Sequence, residues 1–302
     1  MQTKDIFSAW GTEFIDLSDL FAQDLRELRK LLYQRKLLVF HAPDWTELEY
    51  WHFLALWGEP WHKDEYYKSL EQWLSVYDPK EQRHVDRYIT LMSNFISVTR
   101  PGNITRPGLN DFAMPWHADI ANRMSGISFP HRCIYMKTVP NPAAGFTYWL
   151  NMELAYPEVH PRLRARWESK TIVQQSWHRP GYDIVHVSTM KQHPITGRWS
   201  PRCNYHGTKD SWIIDILDSN GNSYGTGIVE ELMEAMAEIK DCVYEMRWQS
   251  NDIVLYDNWP FVHRRSSPQL KKGEERLMWR GNIDHDLSIK DLFDQGSISV
   301  SQ

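Results

Sequence analysis

Short apolar segments, each bounded by turn residues, recur from residue 88 onward, and they limit the possible folds more than any other feature of the sequence. Runs of a few residues rich in Val, Ile, Thr and aromatics are typical of strands. The segments span residues 88–93, 132–137, 146–150, 171–175, 183–187, 252–256 and 276–280. Many short strands with few helices predict a mainly β fold with peripheral helices and a double-stranded β-helix, or jelly-roll, core.

Four other segments have the helical period. Leu25, Leu28 and Leu32 lie on one face of a predicted helix over residues 24–34, and a buried strand is predicted directly after it over 36–41. The remaining helices are predicted over residues 46–56, near 152–167 and over 229–240.

The domain organisation is predicted to be simple. The 302 residues contain no internal repeat, low-complexity tract or convincing linker, which favours one domain over 1–302. The stretch from about 60 to 116 is dense in charged and aromatic residues and fits neither period, so we expect a loop or lid region there.

Charge and cysteine content exclude several classes of partner. A formal net charge of -5 provides no sequence-wide positive field for nucleic acid. The three cysteines lie far apart without a CxxC pair, which argues against a disulfide framework or a zinc knuckle and favours a reducing cytoplasm. No run approaches the roughly 20 apolar residues that would span a bilayer. We therefore expect a cytoplasmic protein with a small-molecule partner, and leave a homo-oligomer open.

One of three His-x-Asp pairs has the surroundings of a metal site. Two histidines and one carboxylate on one face of a metal suit non-heme Fe(II), because the opposite face stays open for a co-substrate and O₂. The pairs at residues 62–64 and 84–86 lie in charged stretches, whereas His117 and Asp119 lie in an apolar frame. A third ligand is offered by His263, which follows an apolar strand and a turn.

The order of these and other motifs resembles the Fe(II)/2-oxoglutarate dioxygenases of the taurine dioxygenase and clavaminate synthase-like family. Arg276 and Arg280 follow His263 by 13 and 17 residues, as in that family. The other similar motifs are Leu-Leu-Val-Phe at 37–40, Trp-Gly-Glu-Pro at 57–60 and Gly-x-Thr-x-Trp at 145–149. Later in the chain they are His-Pro-x-Thr-Gly-Arg at 193–198 with Asn204, Trp-Gln-Ser-Asn-Asp-Ile at 248–253, and Asp-Asn at 257–258. Together they run through nearly the whole chain.

The resemblance implies a role for each matching residue. His117, Asp119 and His263 would be the catalytic iron ligands, and Thr147 and Arg276 would hold the distal carboxylate of 2-oxoglutarate, since the arginine fork grips a carboxylate with two hydrogen bonds. We expect the substrate side to be lined by Arg280, His62, His206 and Trp116.

The implied activity is an oxygenase reaction, expected to be a hydroxylation, that consumes 2-oxoglutarate and O₂ and releases succinate and CO₂; desaturation or ring formation stays open. The substrate is expected to be small and anionic, such as an amino acid or a derivative. Phe146 stands where many relatives carry an acid, and Tyr205 and His206 replace a small-plus-aromatic pair, which argues against taurine itself.

Two other classes of protein stay open at this point. A zinc-binding jelly-roll hydrolase could use the same two histidines and aspartate with a water molecule, but it would not need Thr147 and Arg276. The 15 Trp, 14 Tyr and 11 Phe also suit a non-catalytic protein that binds a small molecule in an aromatic cavity.

Overall fold

The computed structural model describes residues 2–14, 17, 20, 23–58, 95–99, 113–118, 131–174, 184–203, 213–267, 269–272, 274 and 276–283. Its helices are α1 (Leu25–Arg35), α2 (Glu47–Trp57), α3 (Met152–Glu158), α4 (Pro161–Trp167) and α5 (Gly227–Ala237), with a 3₁₀ turn at Lys240–Cys242. The first eight strands are β1 (Thr3–Asp5), β2 (Thr12–Phe14), β3 (Leu37–His41), β4 (Phe95–Thr99), β5 (Met114–His117), β6 (His131–Thr138), β7 (Phe146–Asn151) and β8 (Thr171–Gln174). The others are β9 (Val185–Ser188), β10 (Met190–Gln192), β11 (Trp199–Pro201), β12 (Ile213–Leu217), β13 (Val243–Arg247), β14 (Asp252–Asp257), β15 (Phe261–Arg265) and β16 (Arg276–Ile283).

Two sheets pack face to face, which confirms the predicted jelly-roll core. Within the described residues the larger sheet has the order β1-β2-β3-β14-β6-β16-β4, and the smaller one has the order β13-β7-β15-β5. Val39, Met136 and Val254 of the larger sheet share one buried cluster with Trp149 and Phe261 of the smaller sheet. This cluster is the layer between the sheets, and one end of it carries the candidate site.

Helices cover the outer faces of both sheets. On the larger sheet, Leu32 of α1 and Trp57 of α2 belong to one buried cluster with Phe40 and Leu255. A Cβ on Gly281 would lie 2.6 Å from the side chain of Leu54, so the glycine is what allows α2 to approach β16 this closely. On the smaller sheet, α3, α4 and α5 pack over the outward side chains of β7 and β15. Among the described helices, none is both long and apolar enough to cross a membrane.

The N-terminal helices begin and end at residues that explain their bounds. Asp24 accepts a hydrogen bond from the backbone N–H of Arg26 at 2.8 Å and caps α1, and Thr46 and Glu49 form a reciprocal capping box at α2. Lys36 ends α1 with a φ of 67° and donates its backbone N–H to the carbonyl of Leu32. The predicted helices over 24–34 and 46–56 are therefore confirmed to within one residue.

The single helix predicted near 152–167 is wrong, because the chain forms two. α3 ends at Glu158 and α4 begins at Pro161 as its first residue. His160, with a ψ of 130°, is not helical because a proline disfavours helical backbone in the residue before it, and Val159 before it is extended as well, with a ψ of 142°. The helix predicted over 229–240 begins earlier and ends at Ala237, where a 3₁₀ turn follows.

The strand predicted at 88–93 lies outside the described residues, and so does most of the region expected to form a lid. Two parts of that region are described. Residues 95–99 form β4 at the edge of the larger sheet, and residues 114–116 belong to β5 of the smaller sheet.

Candidate active site

Two buried histidines face each other across neighbouring strands. β5 and β15 are antiparallel, and His117 lies directly opposite His263 in the register. The centroids of their rings are 4.2 Å apart, with an angle of 49° between the ring planes. Side chains opposite each other on adjacent strands project to the same face of a sheet, here the face that looks into the layer between the sheets.

The hydrogen bonding of His117 fixes which ring nitrogen can bind a metal. Its Nδ1 lies 2.8 Å from the carbonyl oxygen of Pro115. Because a carbonyl can only accept, Nδ1 carries the hydrogen and donates it, which leaves a lone pair on Nε2 of the neutral ring. This backbone-anchored arrangement is common among metal-binding histidines.

Aromatic residues set the orientation of the His263 ring. Trp149, opposite His263 on β7, stacks at a centroid distance of 6.4 Å, and Tyr256 meets the ring edge-on at 5.9 Å. Rotation of the imidazole would break both contacts.

The expected third ligand, Asp119, lies outside the described residues, two positions after His117. Within the described part of the chain, no group of three or more His, Cys, Asp or Glu side chains is arranged to hold a metal ion. The described residues therefore bring together two of the three expected ligands.

The turn that leads into β15 is held by a buried ionic network. Asp257 at the end of β14 accepts a hydrogen bond from His193 Nε2 at 2.9 Å and lies 3.3 Å from the ammonium of Lys36. Its other carboxylate oxygen accepts the backbone N–H of Trp259 at 3.0 Å, inside the turn. Burial alone would raise the pKa of Asp257, but His193 and Lys36 hold it well below its usual value. The carboxylate therefore stays charged and fixes the path of the chain toward His263.

Thr147 lies near the histidines on the same inner face. It sits two residues before Trp149 on β7 and directly opposite Arg265 of β15. Its hydroxyl oxygen accepts a hydrogen bond of 2.9 Å from the indole N–H of Trp248, and both side chains are buried.

Arg276 brings a buried positive charge to this inner face from the larger sheet. It lies two residues before Met278, which belongs to the cluster between the sheets, and only 1% of it is exposed. Its Nε has no hydrogen-bond partner among the described residues, and no described acid forms an ion pair with it. Burial, followed by repulsion from Arg265 and Arg280, lowers its pKa to about 9, so the guanidinium is still protonated at neutral pH.

A buried cation without an acid beside it is unfavourable unless an anion binds to it. The Arg276 guanidinium and the Thr147 hydroxyl supply the donors that a carboxylate accepts. The described residues therefore fit a carboxylate ligand such as 2-oxoglutarate. The donor types of His117 and His263 likewise fit Fe(II).

The remaining residues expected at the site are only partly placed. Arg280 is half-buried and lies four positions after Arg276 on β16, hence on the same face. Trp116 is not brought together with the histidines, because alternation along β5 turns it to the outer face. There its ring lies 4.8 Å from the guanidinium of Arg264. His62 and His206 lie outside the described residues.

Two nearby residues were not assigned individual roles from the sequence. Arg265 is two positions after His263 and faces the same layer, and Trp248 binds Thr147. Because side chains two positions apart on a strand share a face, the sequence could have indicated that Arg265 faces the same layer as His263. The contact of Trp248 depends on how the end of β13 passes β7, which the sequence does not reveal.

Taken together, the jelly roll, the inward histidine pair on one sheet and the buried arginine on the other suit an enzyme that holds a metal and a carboxylate in the layer between its sheets. Residues 2–282 match the model of the family described as "Taurine catabolism dioxygenase TauD, TfdA family". The chain belongs to this family and is a 2-oxoglutarate-dependent dioxygenase that uses Fe(II). This assignment replaces the zinc-hydrolase and non-catalytic alternatives.

Solved structures share the fold at low sequence identity. AAD-2 in complex with Mn(II) and N-oxalylglycine is 17% identical, with a TM-score of 0.64 over 93% of this chain and 96% of that chain. A taurine dioxygenase from Burkholderia xenovorans is also 17% identical, with a TM-score of 0.61 over 94% of this chain and 89% of that chain. No curated protein sequence matches this chain.

Proposed function

We propose that His117, Asp119 and His263 bind the Fe(II). The observation that supports this set is the inward pair of imidazoles with ring centroids 4.2 Å apart, with Asp119 following at the end of β5. The bound metal supplies the activation of O₂ that is coupled to decarboxylation of 2-oxoglutarate. The chain supplies the ligands and excludes water from around them.

Thr147 and Arg276 hold the distal carboxylate of 2-oxoglutarate in this proposal. The single observation that carries the proposal is the buried Arg276 guanidinium, which has no acid partner among the described residues and reaches the layer that contains Thr147. A dicarboxylate satisfies both ends of the site, since its 2-oxo acid end is suited to the metal and its other end to the arginine.

The substrate is proposed to be a small anion, such as an amino acid or a derivative, that is hydroxylated at an unactivated carbon. Arg280 supports this part, because it shares a face with Arg276 and is only half-buried, so a second anion can reach it. His62 and His206 remain proposed substrate contacts. Trp116 is left out of the proposal because it lies on the outer face of β5.

The metal and co-substrate parts are tested by anaerobic titration with Fe(II) and 2-oxoglutarate, followed by the weak visible absorption of the chelate. The wild type should develop the band, and an Asp119→Ala variant should lose substrate-dependent consumption of 2-oxoglutarate. Asp64→Ala and Asp86→Ala are matched controls that should leave metal binding intact. Full turnover by Asp119→Ala would refute the ligand set.

The substrate class is tested with a panel of amino acids, sulfonates and aryloxy acids, scored by succinate release. Arg280→Ala should raise the KM of an anionic substrate by about 30-fold or more while leaving the affinity for 2-oxoglutarate nearly unchanged. Stimulation by uncharged compounds alone would refute the anionic substrate.

A further inference from the structure

The side chain of Trp248 contacts the residue proposed to bind the co-substrate. We propose that Trp248 is a positioning residue, whose indole N–H orients the Thr147 hydroxyl toward the distal carboxylate of 2-oxoglutarate. This inference rests on the proposed role of Thr147, and it adds a residue that would set the affinity for the co-substrate without touching it.

The argument begins with the direction of the hydrogen bond. An indole N–H can only donate, whereas a threonine hydroxyl has one hydrogen and two acceptor lone pairs. The 2.9 Å bond from Trp248 Nε1 to Thr147 Oγ1 therefore uses a lone pair of Thr147 and leaves the hydroxyl hydrogen to be donated elsewhere.

Among the described residues, that hydrogen has no acceptor. The bond from Trp248 is the one side-chain hydrogen bond that the structure shows for Thr147, which is 4% exposed. A buried donor without an acceptor is unfavourable. A carboxylate bound at Arg276 would supply the acceptor, and a hydroxyl that already accepts a bond is polarised into a better donor.

Packing against Trp149 holds the indole of Trp248 in position for this hydrogen bond. Trp248 follows the last residue of β13, and its ring meets that of Trp149 edge-on at a centroid distance of 5.9 Å. Other buried tryptophans show that packing alone does not pair every indole N–H in this chain, since Nε1 of Trp57, Trp149 and Trp279 has no hydrogen-bond partner in the described part. Trp10 and Trp167 donate their indole N–H to backbone carbonyls, whereas Trp248 donates to a side-chain hydroxyl whose orientation it can set.

The first test is a Trp248→Phe variant, which keeps an aromatic ring but removes the donor. The dissociation constant of 2-oxoglutarate is measured by calorimetry on Mn(II)-loaded protein, so that no turnover is required. We expect roughly fivefold weaker binding, about the value of one neutral hydrogen bond. Binding of 2-oxopentanoate, which has the same length but no distal carboxylate, should not change.

The second test is a double-mutant cycle with Thr147→Val. If Trp248 acts through Thr147, the variant with both changes should bind 2-oxoglutarate as Thr147→Val does, without a further loss. Additive losses would overturn the inference, and so would normal affinity in Trp248→Phe. Equal weakening of 2-oxoglutarate and 2-oxopentanoate would overturn it as well, because it would indicate a general disturbance of the metal site.

Three further measurements separate this inference from a general effect of losing an indole N–H, from misfolding and from the proposed function. Trp57→Phe removes a buried indole N–H on the far side of the larger sheet that has no partner among the described residues, and should leave 2-oxoglutarate affinity unchanged. If Trp248→Phe does not fold, 3-benzothienylalanine at position 248 replaces the N–H by sulfur in nearly the same shape, with the same expected fivefold loss. If Thr147→Val alone binds 2-oxoglutarate normally, the proposed role of Thr147 fails, whatever Trp248 does.

Discussion

Replacing Arg276 by methionine should change stability and co-substrate binding in opposite directions. In the ligand-free protein the buried guanidinium has no acid partner among the described residues. Bringing its pKa from 12.5 to about 9 corresponds to an unfavourable free energy of about 5 kcal/mol for the protonated form, at 1.36 kcal/mol per pKa unit. Methionine fills a similar space without charge and relieves the repulsion from Arg265 and Arg280. The ligand-free variant should therefore be at least as stable as the wild type.

Binding of 2-oxoglutarate should instead weaken by about 30-fold or more, because a charge-assisted pair with a desolvated carboxylate contributes about 2–5 kcal/mol. At a ligand concentration of about 100 times the wild-type Kd, the ligand adds about 2.7 kcal/mol to the stability of the wild type. The same concentration would add only about 0.9 kcal/mol to a variant that binds 30-fold more weakly.

The assay is urea denaturation of Mn(II)-loaded protein, with and without 2-oxoglutarate, for the wild type and Arg276→Met. A variant that is several kcal/mol less stable without ligand, yet gains as much as the wild type from 2-oxoglutarate, would refute the reasoning. It would show that Arg276 is a structural residue and shift the co-substrate role to Arg280.

Two further predictions concern the charges that hold the fold. Asp257→Asn should lower the free energy of unfolding by about 3–5 kcal/mol in urea titrations, because it leaves the Lys36 ammonium buried without the nearer of its two acids. An unchanged midpoint of unfolding would contradict a stabilising role for this buried ion pair. In the wild type, the contribution of Asp257 is present above the unfolded-state pKa of its carboxyl group and is lost as the pH falls through the lowered native value. At His41, partial burial acts to lower the pKa, but hydrogen bonds to Glu13 and Asp252 raise it above its usual value overall. The stability that His41 contributes is complete below its unfolded-state pKa of about 6.5 and is lost as the pH rises through the raised native value, so His41→Gln should flatten the fall in stability above about pH 6.5; equal slopes for both proteins would exclude this role.

The sequence alone predicted the features that depend on neighbours along the chain. The helical periods over 24–34 and 46–56 and the apolar frame of His117 are local signals, and the structure agrees with them. The break between α3 and α4 was also visible in principle, since Pro161 was present in the segment that we predicted as one helix.

The parts that could not be predicted depend on pairing between distant strands. The stack of Trp116, Arg264 and Tyr148 on the outer face needs three strands in one register, and no local pattern specifies it. The bond between Trp248 and Thr147 similarly joins residues 101 positions apart. Strand β5 was itself missed, because it is short and contains Pro115, which is unusual inside a sheet.

The pairing of β5 with β15 makes metal affinity a measure of strand alignment. A shift of β5 by one residue would place the Trp116 indole where the His117 imidazole lies, since successive side chains point to opposite faces. A population of molecules with that misalignment would keep two packed sheets and a nearly normal circular dichroism spectrum, yet would lack one of the two facing imidazoles. Insertions or deletions of one residue within 114–117 should therefore abolish Fe(II) binding far more readily than they unfold the protein, and the number of metal ions bound per chain would count the correctly aligned molecules in a preparation.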